Sequence, residues 1–145
     1  MDTGSKGAML GLTTDTTVAE IYRGCMEGVA LEMYLNYKAL QTSGVYFNKL
    51  NATGGGAKSS VWMQIKSDIL NMPVTSLKTV DAGTVGCAML TGIAIGLFKD
   101  LQDAAEHMVE ETVTYIPRAE MHEKYSEIFN RYEKIYEAVR PLMSS

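Results

Sequence analysis

Three consecutive glycines, Gly54-Gly55-Gly56, stand where the sequence changes from a strand-like to a helix-like pattern. Glycine accepts positive φ angles and has no side chain, so a ligand can approach the backbone closely. Backbone N–H groups exposed near a helix N-terminus suit phosphate oxygens or the edge of a purine nucleotide. Ser59 follows as the expected cap of the helix. Gly54, Gly55 and Gly56 are therefore a candidate nucleotide-binding loop, with Ser59 at the start of the helix that follows.

The spacing of this run excludes two common phosphate-binding loops. Residues 51–59 read Asn-Ala-Thr-Gly-Gly-Gly-Ala-Lys-Ser, which is neither G-x-G-x-x-G nor G-x-x-x-x-G-K-[ST]. Lys58 is expected to point to solvent or to the rim of the nucleotide, without a catalytic role. Taken alone, the run is equally consistent with a tight turn that binds nothing.

Other residues with reactive side chains form no catalytic or metal-binding set in the sequence. Asp2, Asp15 and Asp81 are isolated, and Asp81 is better placed to cap a helix than to act as a base. His107 and His122 each stand among charged residues of a predicted helix, which is typical of plain surface histidines. We therefore predict no catalytic residue and no metal ligand in this chain.

Composition narrows the class of protein and of partner. A chain of 145 residues with 46% apolar and 21% charged side chains is typical of one globular domain. The net charge of -4, without a Lys/Arg cluster, excludes a nucleic-acid partner. Cys25 and Cys87 are predicted to be buried free thiols in a reducing compartment. No apolar signal core opens the chain, and the most apolar stretch, 85–98, is too short to span a bilayer, so we predict a cytoplasmic location without a membrane partner.

Helical and strand-like patterns alternate along the chain, which predicts an α/β fold. Thr17-Val18-Ala19-Glu20 has the form of a capping box, and the helix that it opens is expected to end at Gly44. Trp62, at helical spacing, is expected to serve core or interlobe packing. The further predicted elements are a possible first strand at Met9, Leu10 and Leu12, strands 45–52 and 74–80, helices 59–70 and 84–98, a short helix from Asp100 to Val109, and, after a loop with Pro117, one long final helix.

Two or three strands make a thin sheet for a chain of this length. One explanation is an ordinary small α/β domain. The other is a half-sheet whose remaining strands lie upstream in a longer polypeptide. The apolar stripe of the final helix is expected to pack back on its own lobe, with a partner-binding face as the alternative.

Several motifs together resemble the FGGY family of carbohydrate kinases. Residues 52–74 are similar to its adenosine-binding segment, and residues 81–92 to the helix that follows. Residues 7–13, 21–23 and 27–30 match the same lobe upstream, so the resemblance covers nearly the whole chain in the expected order. The first segment reads Ala-Thr-Gly-Gly-Gly-Ala-Lys-Ser-x-x-Trp-x-Gln-Ile-Lys-Ser-Asp-Ile-Leu-x-x-Pro-Val, and the second Asp-Ala-Gly-Thr-Val-Gly-Cys-Ala-Met-Leu-Thr-Gly.

The resemblance implies a ribonuclease-H-like lobe of the actin-like ATPase type, with a mixed sheet and flanking helices. Residues 1–145 would be the C-terminal nucleotide-binding lobe, without the N-terminal sugar-binding lobe. Gly55 and Gly56 would lie against the nucleotide, Gly54 would permit the turn, and Ser59 would stand on the adenine side.

The resemblance also implies an activity for the full-length enzyme, namely transfer of the γ-phosphate of ATP, with Mg²⁺, to a hydroxyl of a small sugar such as the pentulose xylulose. In this family the catalytic aspartate precedes the matching segment, so the chain alone is expected to be inactive and to self-associate, or form a homodimer, through exposed interlobe surface. Two alternatives stay open: a complete, non-catalytic nucleotide-binding or scaffold module of the actin-like superfamily, and an actin-like or acetate-kinase-like relative with different chemistry.

Overall fold

The computed structural model describes residues 6–79 and 81–143. Asp2, and Val80 at the end of the second predicted strand, lie outside this part of the chain. The elements are α1 (Val18–Thr42), β1 (Leu50–Ala52), a 3-10 turn (Gly55–Lys58), α2 (Ser60–Leu70), β2 (Val74–Leu77), α3 (Ala82–Ala94), α4 (Leu101–Met108), β3 (Glu111–Tyr115), α5 (Ala119–Tyr132) and α6 (Ile135–Met143).

The three strands form one mixed sheet in the order β1-β2-β3. β1 runs parallel to β2, with Leu50 opposite Val74, and β3 runs antiparallel to β2, with Tyr115 opposite Val74. β2 is therefore central, and its Val74, Thr75 and Ser76 are buried. A mixed sheet with flanking helices confirms the predicted fold class.

Both ends of α1 follow from local sequence. The Thr17 hydroxyl accepts a hydrogen bond from the Glu20 N–H, and the Glu20 carboxylate accepts one from the Thr17 N–H, so the predicted capping box is present. At the other end Gly44 has a φ of 78°. Its N–H bonds to the Gln41 carbonyl while the Val45 N–H reaches the Leu40 carbonyl, which is the glycine-dependent Schellman ending.

The main core lies where α1 and α5 pack on α2. The rings of Tyr34 and Phe129 meet edge to face with centroids 4.6 Å apart. The apolar stripe of α5 thus packs on its own lobe, as predicted. The buried members of this core are Ala30, Leu31, Ile65, Ile69, Tyr125 and Phe129.

Several predicted elements differ in extent from those in the structure. The first predicted strand, around Leu10, is wrong, because residues 6–12 carry no strand. The strand predicted over 45–52 is present only as β1, since Phe47 leaves the sheet to pack against the Tyr37 ring at 4.2 Å between centroids. The final helix divides into α5 and α6 around Glu133, and the helix predicted over 84–98 ends at Ala94, ahead of Gly96 with a φ of 78°.

Strand β3 and the cysteines are further corrections. Glu111–Tyr115 was expected to be a loop, yet it pairs along β2 with four of its five residues exposed. Its pattern of β-branched residues without a buried stripe is typical of an edge strand, which carries a weak apolar signal. Cys25 and Cys87 are exposed rather than buried.

Candidate nucleotide-binding site

The glycine run forms the connection from β1 to α2. Gly54 has φ 86° and ψ -175°, a backbone conformation that is essentially restricted to glycine. The 3-10 turn over Gly55–Lys58 then leads to Ser59, whose hydroxyl accepts a hydrogen bond from the Trp62 N–H at 3.3 Å. Ser59 is therefore the N-cap of α2, as predicted, and Gly54 permits the turn.

The outer side of this turn is open. A Cβ atom built on Gly55 would have no atom within 4 Å. The N–H groups of Gly55 and Gly56 have no hydrogen-bond acceptor among the residues that the structure describes. Two unpaired N–H groups beside the N-terminus of an α-helix are a suitable site for an anion or for the acceptor edge of a base.

Gly56 has a different reason to be glycine. A Cβ atom there would lie 2.8 Å from Cζ3 of Trp62, so the indole ring occupies the space of the missing side chain. The Trp62 Nε1 donates to the Met26 carbonyl at 3.0 Å, and the Lys66 ammonium lies 4.3 Å from the ring centroid. Trp62 therefore connects the glycine turn to α1, in agreement with the packing role predicted for it.

Contacts from the sheet hold the turn from below. The Ser76 hydroxyl of β2 donates to the Ala57 carbonyl at 3.3 Å, and the Thr53 hydroxyl donates to the Thr79 carbonyl at 2.6 Å. Because β1 and β2 are parallel, the connections to α2 and α3 leave from the same edge of the sheet. The two helix N-termini are thus placed along one side of the domain.

Asp81 begins the second of these helices. Its carboxylate accepts hydrogen bonds from the Thr84 N–H at 3.0 Å and from the Thr84 hydroxyl at 2.7 Å. These two bonds hold the pKa of Asp81 below its ordinary value. The carboxylate is the N-cap of α3, as predicted.

The comparisons with known proteins bear on this arrangement. Residues 1–95, which include the glycine turn and α2, match the family model described as "FGGY family of carbohydrate kinases, C-terminal domain". The chain belongs to the FGGY family. It is 29% identical over 141 residues to a xylulose kinase of Staphylococcus epidermidis, and 34% identical over 134 residues to a glycerol kinase of Deinococcus radiodurans. The two alignments include 97% and 92% of this chain, but only 28% and 26% of the respective relatives.

A solved structure agrees with the FGGY fold. The ligand-bound xylulose kinase from Lactobacillus acidophilus superposes with a TM-score of 0.86 at 27% identity. The alignment covers 96% of this chain and 28% of that structure. The fold is therefore that of the actin-like ATPase lobes, as predicted, and the chain spans less than a third of the length of these FGGY relatives.

The sequence analysis did not predict one buried carboxylate of this FGGY domain. Asp68, in the apolar half of α2, is fully buried and accepts hydrogen bonds from the Arg118 N–H at 2.9 Å and from the Arg118 guanidinium at 2.6 Å. Gln64 donates to the same carboxylate at 2.9 Å. The signal in the sequence was a carboxylate between Ile65 and Ile69 on the buried stripe, where an unpaired charge is costly.

His122 belongs to the same group, which corrects its prediction as an isolated surface residue. Its Nδ1 lies 2.9 Å from the Asp68 carbonyl oxygen, and the residue is half-buried. Burial would raise the pKa of Asp68, but the hydrogen bonds from Arg118 and Gln64 outweigh that effect and lower it. The carboxylate therefore stays ionised and fixes the start of α5 against α2.

Neither a metal site nor a membrane span is found in the residues with described structure. No group of at least three His, Cys, Asp or Glu side chains there has the geometry to hold a metal ion. None of the helices within 6–79 and 81–143 combines the length and apolar character that crossing a membrane requires.

Proposed function

We propose that this chain is the C-terminal nucleotide-binding lobe of an ATP-dependent carbohydrate kinase, and that Gly54, Gly55, Gly56 and Ser59 contact the adenosine part of the nucleotide. The observation that carries this proposal is the open turn at Gly55. Its N–H groups, which have no acceptor among the described residues, the absence of a side chain and the adjoining helix N-terminus leave room and donors for a ligand at the edge of the sheet.

The residues of the turn have distinct roles in this proposal. Gly55 provides the contact surface, because a ligand can reach its backbone without meeting a side chain. Gly54 sets the direction of the chain, and Gly56 accommodates Trp62 beneath the turn. The Ser59 oxygen already accepts the hydrogen bond of the helix cap, so its hydroxyl hydrogen is the donor that it can offer to a nucleotide.

The reaction of the whole enzyme is transfer of the ATP γ-phosphate to a hydroxyl of a sugar. Mg²⁺ bound with ATP would neutralise phosphate charge during that transfer. Since the described residues offer no cluster of metal ligands, we assign no Mg²⁺ ligand to this chain. Its own part is to bind and orient the nucleotide, which is a large share of catalysis in phosphoryl transfer.

A pentulose such as xylulose is the proposed sugar. The support is that several similar proteins, from Staphylococcus epidermidis and Bacillus subtilis among others, are xylulose kinases. Because the aligned part is 28% of those relatives, the catalytic base and most sugar contacts are expected from the remaining 72% of such an enzyme. We therefore propose that this chain alone does not phosphorylate a sugar, and that the enzyme is cytoplasmic.

Exposed apolar residues suggest how the separate chain behaves. On α3 and the turn after it, Leu90, Ile95 and Leu97 are each more than half exposed. Apolar surface of this kind marks interaction sites or promotes association in water. We propose that this surface contacts other parts of the kinase, and that the separate chain self-associates through it.

Nucleotide binding by the turn is tested by Gly55→Leu. A Cβ atom at Gly55 meets no atom within 4 Å, so the fold is expected to persist while the leucine side chain occupies the place of the ligand. The affinity for ADP should fall at least tenfold, the equivalent of roughly 1.4 kcal/mol. Trp62, which is the single tryptophan of the chain and lies against the turn, allows a fluorescence titration.

Gly24→Leu is the matched control, because Gly24 also has open space around it but lies on α1. It should leave ADP affinity unchanged. Gly56→Leu is a poor test, since its side chain would displace Trp62 whether or not a nucleotide binds. Equal ADP affinity in wild type and Gly55→Leu would contradict the site. Sugar phosphorylation by the chain alone, or submicromolar affinity for ATP, would contradict a shared nucleotide site.

A further inference from the structure

An open pocket of about 400 Å³ lies between α1, α2 and the segment that joins β3 to α5. Ser60 and Gln64 of α2 line it. Residues four apart share a helix face, whereas Trp62 and Lys66, each two positions further on, lie about 200° around the helix. The pocket is therefore on the side of α2 opposite to the contact between Trp62 and the glycine turn.

Two arginines border this pocket, and each is held in place by neighbours. Arg118 donates from Nε and Nη2 to the buried Asp68 carboxylate. Arg23 donates from Nε to Glu27 at 2.7 Å and from Nη2 to the Tyr125 hydroxyl at 3.1 Å. Both guanidinium groups are thus oriented by bonds at one end while about half of each side chain stays exposed.

The other end of each guanidinium has unused donors. Within the described ranges, Nη1 of Arg23 and Nη1 of Arg118 make no hydrogen bond. Arg23 and Arg118 both line this pocket, which places two cationic side chains around one opening. An anion bound in the pocket would contact both cations and reduce the repulsion between them.

The remaining polar groups of the pocket favour a phosphate over a carboxylate. Ser60 and Tyr115 add two hydroxyl donors to the four N–H bonds available from the two Nη1 atoms. This number of donors from several directions matches the tetrahedral oxygens of a phosphate, whereas a carboxylate offers two oxygens in one plane. Gln64 uses its amide hydrogens on Asp68 and the Ile116 carbonyl, which leaves its oxygen to accept a bond from a ligand hydroxyl.

We propose that this pocket binds a phosphate group, either free phosphate or the phosphate of a small hydroxylated ester, between Arg23 and Arg118. The site is separate from the nucleotide turn and does not depend on the proposed kinase activity. Its ligand is held by two guanidinium groups that α1 and the start of α5 present to the same pocket. Binding there would connect the three helices of the main core.

The test is a titration of the chain with inorganic phosphate at constant ionic strength, followed by the amide NMR signals. Saturable shifts are expected at Ser60, Gln64 and Arg118, and saturating ADP should not remove them. Arg23→Gln removes one guanidinium from an exposed position and should weaken phosphate binding about tenfold. This variant keeps the Asp68 bonds intact, so the fold is expected to be unchanged.

Lys124→Gln is the matched control, because it also removes one exposed cation from a helix, and Lys124 pairs with Glu120 outside the pocket. It should leave phosphate affinity unchanged. Repeating the titration with glycerol 3-phosphate separates the two sources: tighter binding indicates a hydroxylated ester, and equal binding indicates the phosphate group alone. The proposal is overturned if no shift saturates, if ADP competes with phosphate, or if both variants lose affinity equally.

Discussion

Helices α2 and α3 share a position in the fold but differ in how they are buried. Each follows a strand of the parallel pair, and each begins at a side-chain cap, Ser59 or Asp81. α2 contains Lys66 and Asp68 and still buries most of its C-terminal half. α3 contains no charged residue, yet Gly92 is its only residue classed as buried among those described.

The difference shows that apolar content does not determine burial; the number of packed neighbours does. α2 lies against α1, α5 and the sheet, so even its carboxylate acquires partners. α3 packs chiefly on α4, and the ring of Phe98, in the turn between the two helices, lies 2.6 Å from the position of a Cβ atom on Gly92. The two helices therefore contribute very differently to the stability of this domain.

The strongest test of this difference is to shorten one apolar side chain to alanine on each helix and compare the losses of stability. Ile69 on α2 is 1% exposed and Leu90 on α3 is 59% exposed. Ile69→Ala should lower the free energy of unfolding by about 3 kcal/mol, because it leaves a cavity in the core. Urea unfolding followed by circular dichroism measures this loss.

Leu90→Ala is the matched control and should change the free energy of unfolding by less than about 0.5 kcal/mol. Similar losses in the two variants would show that α3 is as well packed as α2, contrary to its exposure. A large loss in Leu90→Ala alone would reverse the comparison.

The second prediction concerns the charge that α2 buries. In Asp68→Asn, an amide replaces the carboxylate that accepts bonds from the Arg118 guanidinium and from Gln64. Loss of these charge-assisted bonds should cost about 2 kcal/mol at neutral pH. Glu120→Gln removes a carboxylate from an exposed ion pair and should cause no resolvable change.

The pH dependence follows from the lowered pKa of Asp68. The unfolded carboxyl titrates near its ordinary value of 3.8, and the folded one below it. Its contribution is therefore fully present above the unfolded pKa and is lost as the pH falls through the folded pKa. The stability difference between wild type and Asp68→Asn should be constant near neutral pH and shrink below 3.8. A difference that grows on acidification would contradict the ionised pair.

How much of this could be predicted depended on the range of the interaction. The capping box at Thr17, the end of α1 at Gly44 and the caps Ser59 and Asp81 involve residues within a few positions, so their types alone predicted them. Strand β3 was not predicted, because its pairing with β2 joins residues more than thirty positions apart and its side chains are mostly exposed.

The candidate site divides in the same way. The glycine turn was located from its own sequence and the resemblance. The reason that residue 56 is glycine was not predicted, since it depends on the Trp62 ring, which also donates to the Met26 carbonyl of α1. The Asp68 pair was also missed, because Arg118 lies fifty residues along the chain. The local sequence thus predicted the glycine turn, whereas the residues that support it come together only through tertiary packing.

The smallest predicted effect concerns the exposed surface of α3. It is an effect on association between chains and not on the free energy of unfolding. If this exposed helix is a contact surface, the separate chain should associate through it, and the weight-average mass in sedimentation should rise with concentration. Leu90→Gln should weaken association about tenfold, since it removes one leucine from the buried contact. Val18→Gln, which alters an apolar residue that is 82% exposed on α1, should have no such effect. A chain that stays monomeric at high concentration would show that the exposed apolar residues of α3 do not cause association. Helices α2 and α3 would then differ in exposure but not in a role in association.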